Sequence, residues 1–192
     1  INQRIQRASL LLFVCMLASR LIGFFREWAL AHFVGATETT DVYLASFTVP
    51  DFLNYLMAAG ALSVSLIPIL SESVVAGNRK YAENLFRLVS TVMGILLLAL
   101  ILMAEFFATD LAHWVAPGFS AAQELLLTDL IRIILPAQFF FYWGGLANAM
   151  QQTHGMFLYT ALGGIFYNLG IISCGILLHG NYGVLGFSIG VI

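Results

Sequence analysis

The side chains best suited to chemistry lie close together in one apolar stretch near the start of the sequence. The segment SRLIGFFRE at positions 19–27 contains two arginines and a glutamate among apolar and small residues. An α-helix turns by about 100° per residue, so Ser19, Arg20, Gly23, Arg26 and Glu27 share an arc of about 120°. A guanidinium stays charged and donates two parallel hydrogen bonds to phosphate oxygens, so this face is suited to a phosphate-bearing ligand.

Two interpretations of this charged face stay open from the sequence. Charge in a membrane-spanning helix is costly in lipid, so the face must meet water or other helices. It either lines a cationic cavity for a phosphate-bearing substrate, or it holds the helices together by pairing with acids on neighbouring helices. Arg26 and Glu27 are adjacent and can partly neutralise each other, which leaves one arginine in excess and favours the cavity.

A second apolar stretch carries three more polar side chains, Asp41, Asp51 and Asn54. Pro50 lacks a backbone N–H, which predicts a kink or a break in this helix. Asp51 and Asn54 lie on one side of a helix and form a polar stripe that is able to line the same cavity. The alternatives are that Asp41 is an interfacial acid or helix cap, and that Asp51 binds backbone groups freed at the kink.

The elements that hold these residues are apolar enough to lie in a lipid bilayer. Hydrophobic residues make up 60% of the 192 and charged residues only 9%, against about 25% charged residues in a soluble domain. No Asp, Glu, Lys or Arg follows Arg132. A soluble fold of this size needs polar cover that this composition does not supply, which indicates an integral membrane protein.

Five stretches are long enough for the roughly 20-residue helix that a bilayer requires, and a sixth begins before the sequence ends. We therefore predict an all-α fold, a polytopic transmembrane helical bundle. The predicted complete spans are residues 8–34, 42–70, 88–107, 126–150 and 155–178, and the truncated sixth starts near Tyr182. The sequence begins without Met and stops inside an apolar run, so we expect a fragment of a longer protein.

Small residues recur in the fourth and fifth predicted spans, at Gly144, Gly145, Ala147, Gly163, Gly164 and Gly170. Small side chains let two helix backbones approach closely where lipid provides no hydrophobic drive for association. We therefore predict that these glycines lie at helix–helix contacts.

Positive charges predict the orientation of the spans. They lie before the first span and between the second and third, at Arg4, Arg7, Arg79, Lys80 and Arg87. The positive-inside rule then places the N-terminus and the 79–87 loop in the cytoplasm, and residues 110–124 form an outer loop with an interfacial turn at 117–123. Arg132 is an exception near the outer end of the fourth span, where it extends to the interface or reaches Asp129.

No arrangement of residues indicates an enzyme. The four histidines lie far apart, the two cysteines stand singly in apolar stretches, and no Walker A sequence is present. We therefore expect no catalytic residues, no metal and no cofactor. Nucleic acid is not expected as a partner, because the net charge is −2 and no basic patch is present.

The order of motifs along the chain resembles one family, the MurJ/MviN lipid II flippases of the multidrug/oligosaccharidyl-lipid/polysaccharide exporter superfamily. The specific motifs are SRxxGFxRE at 19–27, FVGA at 33–36, TD at 40–41, PDFL at 50–53, GALS at 60–63 and IPIL at 67–70. Weaker matches follow at APGF (116–119), at Pro136 and at Tyr167-Asn168. The spacing is ungapped, or nearly so, over the whole chain.

The resemblance implies a fourteen-helix transporter with two six-helix lobes around a central cationic cavity. Residues 1–192 would be the N-terminal lobe of this MurJ-like exporter fold, cut within its sixth helix and lacking the C-terminal lobe. The implied substrate is lipid II, a polyprenyl-pyrophosphate-linked peptidoglycan precursor. The protein would move it between the leaflets of the bacterial cytoplasmic (inner) membrane, as a multi-pass protein surrounded by membrane lipids.

The resemblance also implies which side chains meet the substrate. Arg20, Arg26 and Asp41 match residues that the family needs for flipping, with the arginines expected at the pyrophosphate. We add Glu27 and Asn54 to this substrate-binding set, because they lie on the polar faces of the first two spans.

The sequence departs from the family at two positions. The family usually has Arg at the place of Asn54 and Glu at the place of Ala59, so one positive and one negative charge are missing together. Two alternatives to lipid II transport therefore stay open. One is export of another lipid-linked glycan in the same superfamily, and the other is a non-transporting membrane scaffold in which acids pair fully with Arg20 and Arg26.

Overall fold

Helices are the only regular secondary structure in the part of the chain that the computed structural model describes, residues 2–57, 72, 77–153 and 158–192. The first helices are α1 (Asn2–Phe33), α2 (Glu38–Ala45), α3 (Thr48–Met57), α4 (Arg79–Phe106) and α5 (Ala108–Val115). They are followed by α6 (Ala121–Ile134), α7 (Ala137–Thr153), α8 (Leu158–Tyr182) and α9 (Leu185–Ile189). The prediction of an all-α fold is confirmed.

Three stretches of the described residues are long and apolar enough to cross a membrane. They are Lys80–Phe106, Ala121–Asn148 and Leu162–Tyr182, which correspond to the third, fourth and fifth predicted spans. Helix α1 contains the first predicted span up to Phe33 and is 32 residues long. It is not among these three stretches, and it contains the charged segment at 19–27. The predicted span at 42–70 runs into residues 58–71, which lie outside the described residues.

The predicted break at Pro50 is confirmed. In a continuous helix the N–H of residue 50 would bond to the Ser46 carbonyl, and the proline ring clashes there instead. The chain turns at Ser46 and Phe47, between α2 and α3. The N–H of Asp51 then donates to the Phe47 carbonyl at 2.8 Å, so Pro50 lies in the first turn of α3, where a missing donor is tolerated.

The fourth predicted span, 126–150, is also divided by a proline. Helices α6 and α7 meet at a turn formed by Leu135 and Pro136. Helix α6 begins at Ala121, where the N–H of the N-cap Ser120 donates to Gln123 Oε1 at 2.7 Å. The predicted interfacial turn at 117–123 is therefore shorter than expected, because this capping box starts the helix inside it.

One unit of the chain consists of residues 1–43 and 156–192, in which α1 and α9 both pack against α8. Helix α8 continues to Tyr182, beyond the predicted end of the fifth span at 178. It stops at Gly183, whose φ of 57° belongs to the left-handed region that favours glycine. The chain then folds back so that the buried Phe187 of α9 lies against Gly175.

The other unit, residues 44–155, has its core around α6. The fully buried side chains there include Leu127, Leu130, Ile131, Ile134 and Leu135. The Tyr142 hydroxyl of α7 donates to the Ser90 carbonyl of α4 at 2.9 Å. His113 Nδ1 and Glu124 Oε1 lie 2.9 Å apart and join α5 to α6.

Candidate functional site

The candidate site lies on one side of α1. A stripe of residues on that side, spaced alternately four and three positions apart, packs against α8. The stripe consists of Ser19, Gly23, Arg26, Leu30 and Phe33. Leu30 is buried, and the rings of Phe33 and His179 have centroids 5.7 Å apart. This spacing is the pattern of two helices packed along a shared seam, so Arg26 lies at a helix–helix contact.

Arg26 is paired with a carboxylate of its own helix. Its Nη2 and Nε atoms lie 2.5 and 3.2 Å from Glu27 Oε1. The side chain of Arg26 is 28% exposed and that of Glu27 is 49% exposed. Tyr43 and Tyr167 lie near the guanidinium. The predicted partial neutralisation of Arg26 by Glu27 is therefore present in the structure.

Arg20 differs from Arg26 in both exposure and pairing. Its side chain is exposed, and its guanidinium forms no hydrogen bond or ion pair with any residue that the structure describes. One positive charge of the predicted arc is therefore left without a carboxylate in this part of the chain. Because such a charge is costly in lipid, it requires water or an anion.

The small members of the predicted arc have a structural role. A Cβ atom on Gly23 would lie 3.8 Å from Asn168 Oδ1, and one on Gly164 would lie 2.6 Å from Ser19 Oγ. The Asn168 amide itself donates to the Gly164 carbonyl at 2.8 Å. The arc is thus divided into a side that packs on α8 and includes Arg26, and a side on which Arg20 and Glu27 are exposed.

Asp41 lies in the first turn of α2, with an exposed side chain. It is not the helix cap, because α2 begins at Glu38 and the Asp41 N–H already donates to the Thr37 carbonyl at 3.3 Å. The Thr40 hydroxyl donates to the carbonyl of Gly35, which closes the preceding turn. A carboxylate in the first turn is favoured by the helix dipole, so this position is stable without a cationic partner.

Asn54 and Asp51 are exposed side chains of α3 and belong to the second unit. Their exposure agrees with the polar stripe predicted for this helix. Ala59, the other position at which the sequence departs from the family, lies outside the described residues. The role of Asn54 in substrate binding stays a prediction.

Arg132 is exposed on α6 and forms no ion pair with Asp129 among the described residues. Glu105 of α4 lies near enough to interact with it electrostatically. The extension of Arg132 to the membrane interface stays a prediction.

Three side chains were not assigned to the site from the sequence: Tyr43 and Tyr167, which lie near Arg26, and Asn168, which lies beside Gly23. Tyr167 and Asn168 form one of the weaker motifs of the family resemblance, which was the available signal. Tyr43 stands two residues after Asp41, but its burial beside Arg26 depends on how α2 follows the turn at Gly35.

Comparison with known proteins gives one consistent result. The model of the family "Lipid II flippase MurJ" matches residues 30–192. A probable lipid II flippase MurJ of Buchnera aphidicola subsp. Baizongia pistaciae is 33% identical over 159 residues, which are 80% of this chain and 30% of the relative. A probable lipid II flippase MurJ from Vibrio cholerae is 27% identical over an alignment of 202 positions, which covers 100% of this chain and 38% of the relative.

A solved structure is also similar to this chain. The lipid II flippase MurJ in an inward closed conformation superposes with a TM-score of 0.81 at 25% identity, over 95% of this chain and 38% of that one. The chain therefore spans about a third of the length of the proteins it matches. The Vibrio cholerae alignment covers the whole chain, so it includes the charged segment that precedes the family-model match.

Proposed function

This chain belongs to the lipid II flippase MurJ family, and from that premise we propose that it is the N-terminal lobe of a lipid II transporter. The substrate is a polyprenyl-pyrophosphate-linked peptidoglycan precursor, which the whole protein moves across the bacterial cytoplasmic membrane. The observation that supports this most directly is the exposed Arg20 guanidinium, which has no carboxylate partner among the described residues. A pyrophosphate is the part of such a lipid that a guanidinium binds best.

The two arginines have different roles in this proposal. Arg20 offers a complete set of donors to the pyrophosphate, whereas Arg26 shares its donors with Glu27. Glu27 thus competes with the substrate for Arg26. This competition weakens binding, and a transporter needs moderate binding because it must release its substrate on the other side of the membrane.

Asp41 and Asn54 complete the proposed substrate-binding set. Asp41 supplies an acceptor for hydroxyl and amide groups of the glycan or peptide. Asn54 supplies both donors and acceptors where the family usually has an arginine. The missing positive charge at Asn54 supports one alternative, the export of another lipid-linked glycan. Arg20 has no carboxylate partner among the described residues, which argues against a non-transporting scaffold in which acids would pair with both arginines.

The proposal predicts that the full-length protein restores growth and cell shape to bacteria that have been depleted of their own lipid II flippase. The reason is that lipid II must reach the outer leaflet before its sugars can be polymerised. The measurement is the amount of lipid II that an externally added lipid II-cleaving protein can reach. Failure to restore this accessible pool, with normal protein levels in the membrane, would show that the substrate is a different lipid.

The orientation of the lobe is also a proposal, with the N-terminus and the 79–87 segment in the cytoplasm. In a background with Cys15 and Cys174 replaced by alanine, Asn78→Cys is expected to resist a membrane-impermeant maleimide added to intact cells. Gly118→Cys, in the exposed turn between α5 and α6, is expected to react. The reverse labelling pattern would overturn the orientation, and reaction of both after the cells are opened is the control.

A further inference from the structure

The second unit contains an apolar groove that the proposed transport mechanism does not use. It lies between α3, α4 and α5 and has a volume of about 430 Å³. Its walls include Val49, Leu53, Leu100 and Ala104, and Asp110 is the one charged side chain in its lining among the described residues. The volume falls in the range of roughly 300–1,000 Å³ that is typical of ligand sites.

The groove extends from a span end into the apolar layer. Leu100, Met103 and Ala104 belong to the last two turns of the membrane-spanning part of α4, which ends at Phe106. Asp110 and Trp114 follow in α5 and also line the groove. Trp114 is 75% exposed, and an exposed tryptophan at a span end is typical of the headgroup level of a membrane.

The apolar lining and the single carboxylate of the groove indicate which kind of ligand binds there. An apolar groove at this depth is filled by a hydrocarbon chain, because a polar ligand would lose its hydrogen bonds to water without replacement. The acidic Asp110 attracts a cationic headgroup and repels an anionic one. The rim is open to such a chain, since Phe52, Leu56 and Met103 are all exposed side chains.

We propose that this groove binds one acyl chain of a phospholipid whose headgroup carries a primary ammonium group, with the ammonium beside Asp110. The lipid is a structural ligand of the lobe and is distinct from the substrate. The site does not depend on the proposed transport function, because none of its lining residues belongs to the charged face of α1.

The test uses the full-length protein in detergent, mixed with equal amounts of phosphatidylethanolamine and phosphatidylglycerol that have identical acyl chains. Native mass spectrometry is expected to show preferential retention of one phosphatidylethanolamine. Asp110→Asn is expected to reduce that preference by about threefold, as for the loss of one partly exposed charge pair. Asp129→Asn, an exposed carboxylate of α6 outside the groove, is the matched control and is expected to leave the preference unchanged.

A second variant tests the groove itself. Leu56→Trp fills the groove from its exposed rim, and it is expected to remove the retained lipid without unfolding the protein. Leu102→Trp places the same residue at an exposed position of α4 that does not line the groove, and lipid retention is expected to persist. Retention that is unaffected by Leu56→Trp would overturn the site. So would the absence of retained lipid in the wild type, which would mean that another part of the protein fills the groove.

Discussion

Replacing Arg20 by alanine is expected to abolish transport by the full-length protein while its amount in the membrane stays the same. The structure supports both halves of this expectation. The side chain is exposed and has no ion-pair partner among the described residues, so its removal leaves no described carboxylate unpaired. The loss of a charged hydrogen bond to a pyrophosphate is worth about 1.5–3 kcal/mol, which corresponds to a weakening of binding by about 10- to 140-fold.

The controls for Arg20 separate charge from geometry. Arg20→Lys keeps the positive charge but loses the planar fork that binds two phosphate oxygens, so an intermediate transport rate is expected. Arg87→Ala removes an exposed arginine of α4 that is not part of the charged face of α1, and it is expected to leave transport unchanged. Transport is measured as rescue of flippase-depleted cells and as lipid II that is accessible from outside. Full rescue by Arg20→Ala would count decisively against a substrate role.

Arg20→Ala tests the role in substrate binding more directly than Arg26→Ala does, because Arg26 forms an ion pair with Glu27. Truncation of Arg26 also removes the partner of Glu27, and a carboxylate left unpaired in a membrane protein is destabilising in its own right. Loss of transport in Arg26→Ala would therefore combine a binding effect with a folding effect.

Features fixed by neighbouring residues could be predicted from the sequence. The break between α2 and α3 follows from the missing N–H and the ring of Pro50, which act on the carbonyl four residues earlier. The pairing of Arg26 with Glu27 follows from their adjacency. The charged arc followed from helical periodicity alone, because α1 continues without a break through the whole segment.

Features that depend on which helices pack together could not be predicted in this way. The position of Arg26 beside Tyr167 requires α1 to lie against α8, and the two residues are far apart in the sequence. The predicted end of a helix was also wrong where a single turn residue determines it. Helix α8 passes through His179 and Asn181 because the left-handed turn comes only at Gly183.

The predicted glycine contacts also depend on which helices pack together, and the sequence predicted only some of them correctly. Gly164 and Gly170 lie at close approaches, as predicted, whereas a Cβ atom on Gly144, Gly145 or Gly163 would meet nothing within 4 Å in the described part of the chain. Composition cannot separate these two groups, because both lie in apolar helices rich in small residues. Among the described glycines, Gly175 has the least room for a Cβ atom, and Gly190 lies against the backbone of α8; neither belongs to the predicted set.

Gly190→Ala is therefore expected to destabilise the lobe strongly. A Cβ atom at this position would lie 2.7 Å from the Ile171 Cα atom and 2.8 Å from the Gly170 carbonyl oxygen. Both are backbone atoms of α8, so the added methyl group cannot be accommodated by a side-chain rotation and must push α8 and α9 apart. Overpacking of this kind costs about 1–3 kcal/mol.

The matched control is Gly163→Ala, which adds the same methyl group to α8 at a position where no atom of the described residues lies within 4 Å of it. Alanine favours a helix over glycine by about 1 kcal/mol, so the stability of this variant should equal or slightly exceed that of the wild type. The measurement is the midpoint of thermal unfolding of the purified full-length protein, together with the fraction that elutes as a single species. A lower midpoint for Gly190→Ala alone is the expected result. Equal midpoints for the two variants would mean that α9 does not pack on α8 as closely as the structure places it.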